Sequence, residues 1–240
     1  WRRDFGWLGL SRRVGGILTG FGLGLILPLP VAAVLAVTGG VRVTAFPGRF
    51  SGMEIAGIVA GYLGWALYTG VVEELVFRGM AVREWAVRWG WPAATVAGGL
   101  WFGLAHLLPG LPEMAILPLA QVLLAAVAFS GLQVVLLVRR RSLWLPIGLH
   151  AGWNFTLAGI LGATVSGRSR LGLFNAELSG PAWLTGGEFG LEASLVAVAV
   201  YILAAGIIWR WPDSGREPPL PLQPGPVNRP AKETQDQPDI

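Results

Sequence analysis

Val71-Val72-Glu73-Glu74-Leu75-Val76-Phe77-Arg78 puts two carboxylates and a guanidinium inside an otherwise apolar run. Ionisable groups are costly in hydrocarbon and persist where they pair, face a water-filled cavity or do chemistry. Helical spacing sorts the three. Glu74 and Arg78 are four apart, share a face and can pair. Glu73 lies about 100° around the helix from Glu74 and is off that face. One carboxylate is therefore neutralised by Arg78, and the other is left free to act as a general base. A purely structural ion pair at a helix end is the competing reading of Glu74 and Arg78.

The rest of the chain gives this run a membrane setting. Of 240 residues 53% are hydrophobic and 13% charged, with a mean hydropathy of +0.58. Soluble domains carry about 25% charged residues. The expected fold class is therefore all-α: a polytopic transmembrane helix bundle with the lipid bilayer as its solvent. Six spans are expected, at about 15–38, 55–77, 92–108, 115–138, 143–163 and 190–209, most of them near the ~20 residues that cross the hydrocarbon core. The absence of cysteine excludes disulfides and thiolate chemistry. A pI near 10.3 would suggest nucleic acid in a soluble protein. Here the arginines fall between apolar runs and read as orientation signals, so no nucleic-acid partner is expected.

Setting Arg78 aside, ten arginines fall on one side of the expected spans (2, 3, 12, 13, 83, 88, 139, 140, 141 and 210) and four on the other (42, 49, 168 and 170). The richer side is assigned to the cytosol, with both ends of this chain. Three regions follow: a basic cytosolic juxtamembrane segment at 1–14, a transmembrane helical domain at 15–210, and a Pro-rich tail at 211–240. The tail holds eight prolines and is expected to be disordered. A single Lys against seventeen Arg suggests a GC-rich bacterial genome, and so a bacterial plasma membrane. The chain begins with Trp1, so an upstream helix is expected to precede it. The sequence does not indicate an oligomeric state.

Two further polar clusters lie in the apolar runs, and they hold the only two histidines. One is Phe102-Gly103-Leu104-Ala105-His106; the other is His150-Ala151-Gly152-Trp153-Asn154. His150 and Asn154 are four apart and present an imidazole and an amide side by side. That pair suits a metal, an oxyanion or a substrate backbone. Taken singly, an intramembrane His or Asn is often interhelical hydrogen-bonding glue. Phe102 reads as packing, Trp101 and Trp153 as candidate cavity walls, and Gln121 and Gln133 as polar packing. Glu54, Glu113 and Glu192 read as interfacial residues near span ends, with no role implied. Gly20 and Gly24, like Gly99 and Gly103, have small-xxx-small spacing, which is common by chance. Three clusters on neighbouring spans must face each other or water.

In order along the chain, Glu73-Glu74-Leu75-Val76-Phe77-Arg78, then Phe102 to His106, then His150 to Asn154 resemble the CPBP family. This is the CAAX protease and bacteriocin-processing family, which includes the type II CAAX prenyl proteases and the Abi proteins. Phe77-Arg78-Gly79 and the arginine loop before Ser142-Leu143-Trp144-Leu145-Pro146 extend the likeness, which covers about residues 53–165. The resemblance implies an intramembrane endopeptidase that cleaves a membrane-associated peptide or protein from a cavity open toward the cytosol. Carried over, Glu73 activates water with His106, Glu74 and Arg78 form a supporting pair, and His150 and Asn154 stabilise the oxyanion. It also implies either a zinc ion held by Glu73, His106 and His150 or a metal-free mechanism using the same residues. A bacterial source favours a peptide, a pheromone precursor or a membrane-protein tail over a prenylated CAAX protein.

Two other functions compete. One is a non-proteolytic immunity or scaffold protein of the same fold. The other is a proton-coupled transporter, which buried Glu and His also suit, although no internal repeat is visible. One geometric condition must hold for a shared site. A helix starting at Trp91 reaches His106 after about 15 residues, roughly 22 Å. To meet it, the helix carrying Glu73 is expected to run on to about Trp89.

Overall fold

The computed structural model describes residues 14–45, 50–108 and 116–211. The basic segment 1–14, apart from Val14, and the tail beyond Trp211 lie outside the described residues, as do Arg49 and Glu113. The architecture is mostly helical. In chain order come α1 (Gly16–Ile26), α2 (Pro28–Val37), strand β1 (Val41–Ala45), α3 (Gly52–Glu73), a π-helical stretch (Glu74–Val82) and α4 (Arg83–Leu107). Then follow α5 (Ile116–Arg140), α6 (Trp144–Asn154), a second π-helical stretch (Phe155–Ile160), β2 (Phe174–Leu178), α7 (Ala182–Thr185) and α8 (Leu195–Arg210).

Among the described residues, three helical segments are long and apolar enough to cross a membrane: Gly16–Val37, Gly52–Leu107 and Pro118–Arg140. The expected count of six spans is not confirmed. The second segment merges two of them. Its 56 residues would extend roughly 84 Å as one straight helix, far beyond a hydrocarbon core of about 30 Å. The chain breaks it at Gly90, whose φ of 77° and ψ of 163° are non-helical. Pro92, with its φ preset for a first turn, restarts the helix. The expected run of helix to about Trp89 is what the chain adopts. Helix α8 has 16 residues and begins later than expected, at Leu195. Residues 191–193 form a 3₁₀ turn instead.

Helix α6 is the hub: Leu145 through Asn154 are all buried. A helix that is apolar all round belongs inside. Two of its glycines let α1 cross it closely. A Cβ on Gly148 would strike the Ile17 carbonyl, and one on Gly152 the Phe21 carbonyl. Reciprocally, Cβ atoms on Gly20 and Gly24 would strike the Leu145 and Leu149 carbonyls. Small residues are what allow such backbone approach between membrane helices. Gly99 and Gly103 do the same for α4 against Val127 and Ala126 of α5.

The fold is not purely helical. Strands β1 and β2 pair antiparallel from Val41 opposite Leu178 to Ala45 opposite Phe174. Strand β2 belongs to a cap, residues 161–194, at one end of the bundle, and β1 pairs onto it. The Leu171 N–H donates to the Tyr62 hydroxyl at 3.1 Å, and Gln121 Nε2 donates to the Ala182 and Ala193 carbonyls at 2.8 and 2.7 Å. Gln121 thus does pack, as a clamp between α5 and the cap.

Candidate active site

The π-helical stretch starts at Glu74, immediately after Glu73. Such widened turns recur at functional sites because they re-aim consecutive side chains. Here the two carboxylates take different surroundings. Glu74 and Arg78 are fully buried, and Arg78 Nη1 donates to Glu74 Oε1 at 2.9 Å. The same oxygen accepts from Gln133 Nε2 at 3.0 Å and faces His150 Nδ1 at 2.8 Å. Gln133 also donates to the Pro146 carbonyl at 3.2 Å. The guanidinium of Arg78 stacks 4.7 Å from the Phe102 ring centre and 5.5 Å from that of Phe129, while its Nε and Nη2 are buried without a hydrogen-bond partner among the described residues.

Glu73 instead faces a cavity of about 560 Å³. Its Oε2 lies 3.5 Å from His150 Nε2 and 3.7 Å from His106 Nε2. Both separations exceed an ordinary hydrogen bond, so neither histidine consumes the carboxylate. The tautomers follow from the partners. His106 Nδ1 lies 2.8 Å from the Phe102 carbonyl, an acceptor only, so that nitrogen carries the proton. His150 Nδ1 meets a carboxylate and carries its proton likewise. Each ring then turns its Nε2 toward Glu73.

Asn154 sits one turn along α6 from His150 and lines the same cavity. Its Nδ2 donates one hydrogen to Thr69 Oγ at 3.3 Å, leaving the other. The structure thus gathers Glu73, Glu74, Arg78, His106, His150 and Asn154 at one locus. Trp153 lines the cavity, as expected of a wall, and Phe102, read as packing, lines it too, whereas Trp101, also expected as a wall, packs on Phe77 instead.

Sequence reasoning missed Gln133, Thr69 and Glu192 as members of this region. Gln133 and Glu74 are 59 residues apart, a separation no local pattern spans. Glu192 corrects the reading of an interfacial residue without a role. Its carboxylate accepts from the Ser166 N–H and Oγ–H, both at 2.8 Å, and it lines the cavity from the cap. Burial pushes this carboxyl above its ordinary value, and the two Ser166 bonds oppose the rise.

The donor set has the chemistry of a zinc site. Imidazoles that bind metal give their other N–H to a carboxylate or carbonyl, as both do here. The geometry is open. Ligand atoms about 2.0–2.1 Å from a tetrahedral zinc stand roughly 3.3 Å apart. Among the described residues, no three His, Asp or Glu side chains gather closely enough to hold a metal as they stand.

Membrane-length apolar helices around a buried set of carboxylates, imidazoles and an amide define an integral membrane protein with an internal polar site. Its family follows from the segment that carries the three motifs. Residues 55–156 match the family model of the Rce1-like type II CAAX prenyl endopeptidases, a protease family, which supports the CAAX-protease-like reading of that segment. No curated protein and no solved structure matches the chain.

Proposed function

We propose that the chain hydrolyses a peptide bond of a membrane-associated peptide or protein, with water activated by Glu73. The observation that carries this reading is Glu73 Oε2. It faces the cavity and stands 3.5 and 3.7 Å from the Nε2 atoms of His150 and His106. A water between them finds two acceptors. It donates one hydrogen to Glu73 and the other to His106 or His150, and its oxygen lone pair is turned toward the scissile carbonyl. Glu73 takes the proton as the C–O bond forms and delivers it to the leaving amine as the C–N bond breaks.

The negative charge that develops on the carbonyl oxygen needs donors. The free N–H of Asn154 is one. An oxyanion-hole donor supplies about 2.7–4 kcal/mol. His150 serves as a second donor only when Nε2 also carries a proton, because its Nδ1 proton is already given to Glu74. In the resting tautomer its part is to hold the water. Glu74, Arg78 and Gln133 act through His150 by fixing its ring, as positioning residues.

Wild type and E73Q, each in liposomes with a panel of plain and prenylated fluorogenic peptides, test the reading. Cleavage by wild type that falls to background in E73Q supports it. A strong chelator that also stops wild type would assign Glu73, His106 and His150 to a metal. A phenotype in cells that E73Q leaves intact would favour the immunity or scaffold function instead.

A further inference from the structure

Helix α3 supplies one wall of the cavity from a single face. Trp65, Thr69 and Glu73 recur every fourth residue, and all three line it. At 1.5 Å of rise per residue, Trp65 stands about 12 Å from Glu73 along the helix. Thr69, between them, is tied to the site by Asn154, whose Nδ2 donates to its hydroxyl at 3.3 Å. The far end of this wall carries a cation. Arg170 of the cap lays its guanidinium 4.4 Å from the Trp65 ring centre and itself lines the cavity.

The chain after Arg170 is fixed where it meets the bundle. The Leu171 N–H donates to the Tyr62 hydroxyl at 3.1 Å, and the Leu173 N–H to the Gly159 carbonyl at 2.9 Å. Stacking on the indole then orients the guanidinium, so little rotamer freedom is left to lose on binding. Its charge is not answered by the protein. Among the described residues Arg170 forms no ion pair and no hydrogen bond, and its Nε is buried without a partner. Of the other carboxylates in the cap, Glu177 pairs with Arg42 at 3.1 Å and Glu192 accepts from Ser166. A half-buried cation without a counter-ion is held at a cost that a bound anion relieves. The planar fork of a guanidinium matches the two oxygens of a carboxylate.

We infer that Arg170 is a specificity-determining residue, which takes a carboxylate of the substrate peptide about three to four residues from the bond cleaved. The spacing follows from the α3 wall. An extended chain covers about 3.3–3.6 Å per residue, so three to four residues span the ~12 Å from Glu73 to Trp65. An acidic side chain and a free C-terminus offer the fork the same two oxygens. The inference rests on the proposed function for the word substrate, while the anion site stands on the placement of Arg170 alone.

Binding is measured apart from hydrolysis, by fluorescence anisotropy on the full E73Q chain in liposomes. The probes are three dye-labelled apolar peptides of one length: an amidated peptide with one glutamate, a peptide with a free C-terminus and no acidic side chain, and an amidated peptide with neither. At least one carboxylate-bearing peptide should bind about tenfold tighter than the neutral one, and which of the two does so identifies the source. Arg170→Gln should remove that preference while the neutral peptide binds as before, which also shows that the fold is intact. Arg170→Glu should turn the preference toward a peptide with lysine in place of the glutamate. With Glu73 in place, Arg170→Gln should raise KM for the preferred peptide about tenfold at unchanged kcat. Equal affinity for all three peptides, absence of binding included, overturns the inference, as does a preference that survives in both Arg170 variants. Binding that follows these expectations without any cleavage would count against the hydrolytic reading and leave the anion site standing.

Discussion

Adjacent carboxylates, Glu73 and Glu74, have opposite dependences on their neighbours. Glu74 is fully buried and its Oε1 meets three groups, from Arg78, Gln133 and His150. Removing Arg78 leaves that charge buried without its counter-ion, which costs about 3–5 kcal/mol. Arg78→Met should therefore lower the thermal midpoint in detergent sharply. The double variant with Glu74→Gln should recover part of the loss, because the uncompensated charge is then gone. Glu73 has a side chain 23% exposed to the cavity and no close partner. E73Q should leave the midpoint unchanged and lower hydrolysis by about 10²–10⁴-fold, the usual worth of a general base. The i, i+4 spacing made the Glu74–Arg78 pair and the freedom of Glu73 legible from sequence. Gln133 was not legible. A glutamine on an apolar helix looks like packing until the partner from another helix is known.

At the level of elements, the close crossing of α1 on α6 relies on having no side chain at Gly148. Gly148→Val would drive a branched side chain into the Ile17 backbone, and overpacking of this kind costs about 1–3 kcal/mol or more. Gly57→Ala on α3 has open space around it and should be near neutral. Paired unfolding curves of the two variants in detergent check the contrast. The glycine spacing was visible in the sequence, but chance supplies such spacing often, and only the reciprocal contacts give it weight.

The cap was misread for a physical reason. Residues 190–209 are apolar enough to look like one span, yet Gly186 and Gly190, with φ of 85° and 112°, hold the chain in turns. Those turns bring Glu192 inward. Since burial raises its carboxyl above the unfolded value, the folded state holds this proton more tightly than the unfolded chain. Its contribution is present below the ordinary glutamate range and is lost as pH rises through the raised value. The thermal midpoint should fall across that window, and E192Q should flatten that part of the profile.

For the molecule as a whole, composition was enough to read a membrane-embedded helical bundle, and three motifs in order were enough to read the likeness that the family model matches over residues 55–156. The count of about six spans is not confirmed, because helices joined or shortened by turns do not map one to one onto apolar stretches. Three described segments meet the length and hydropathy of a span, one of them folded back at Gly90. The meeting of Glu73 with His106 was legible as a condition on helix length, and the run of helix to Trp89 fulfils it.

The central claim is hydrolysis by water held at Glu73. Its most direct test is mass spectrometry of the cleaved peptide after reaction of the liposome-embedded protein in ¹⁸O-labelled water. The account predicts one heavy oxygen in the new C-terminal carboxylate with wild type, and no product above background with E73Q. Product formed equally well by E73Q, or no product from folded wild type on any peptide of the panel, would contradict it.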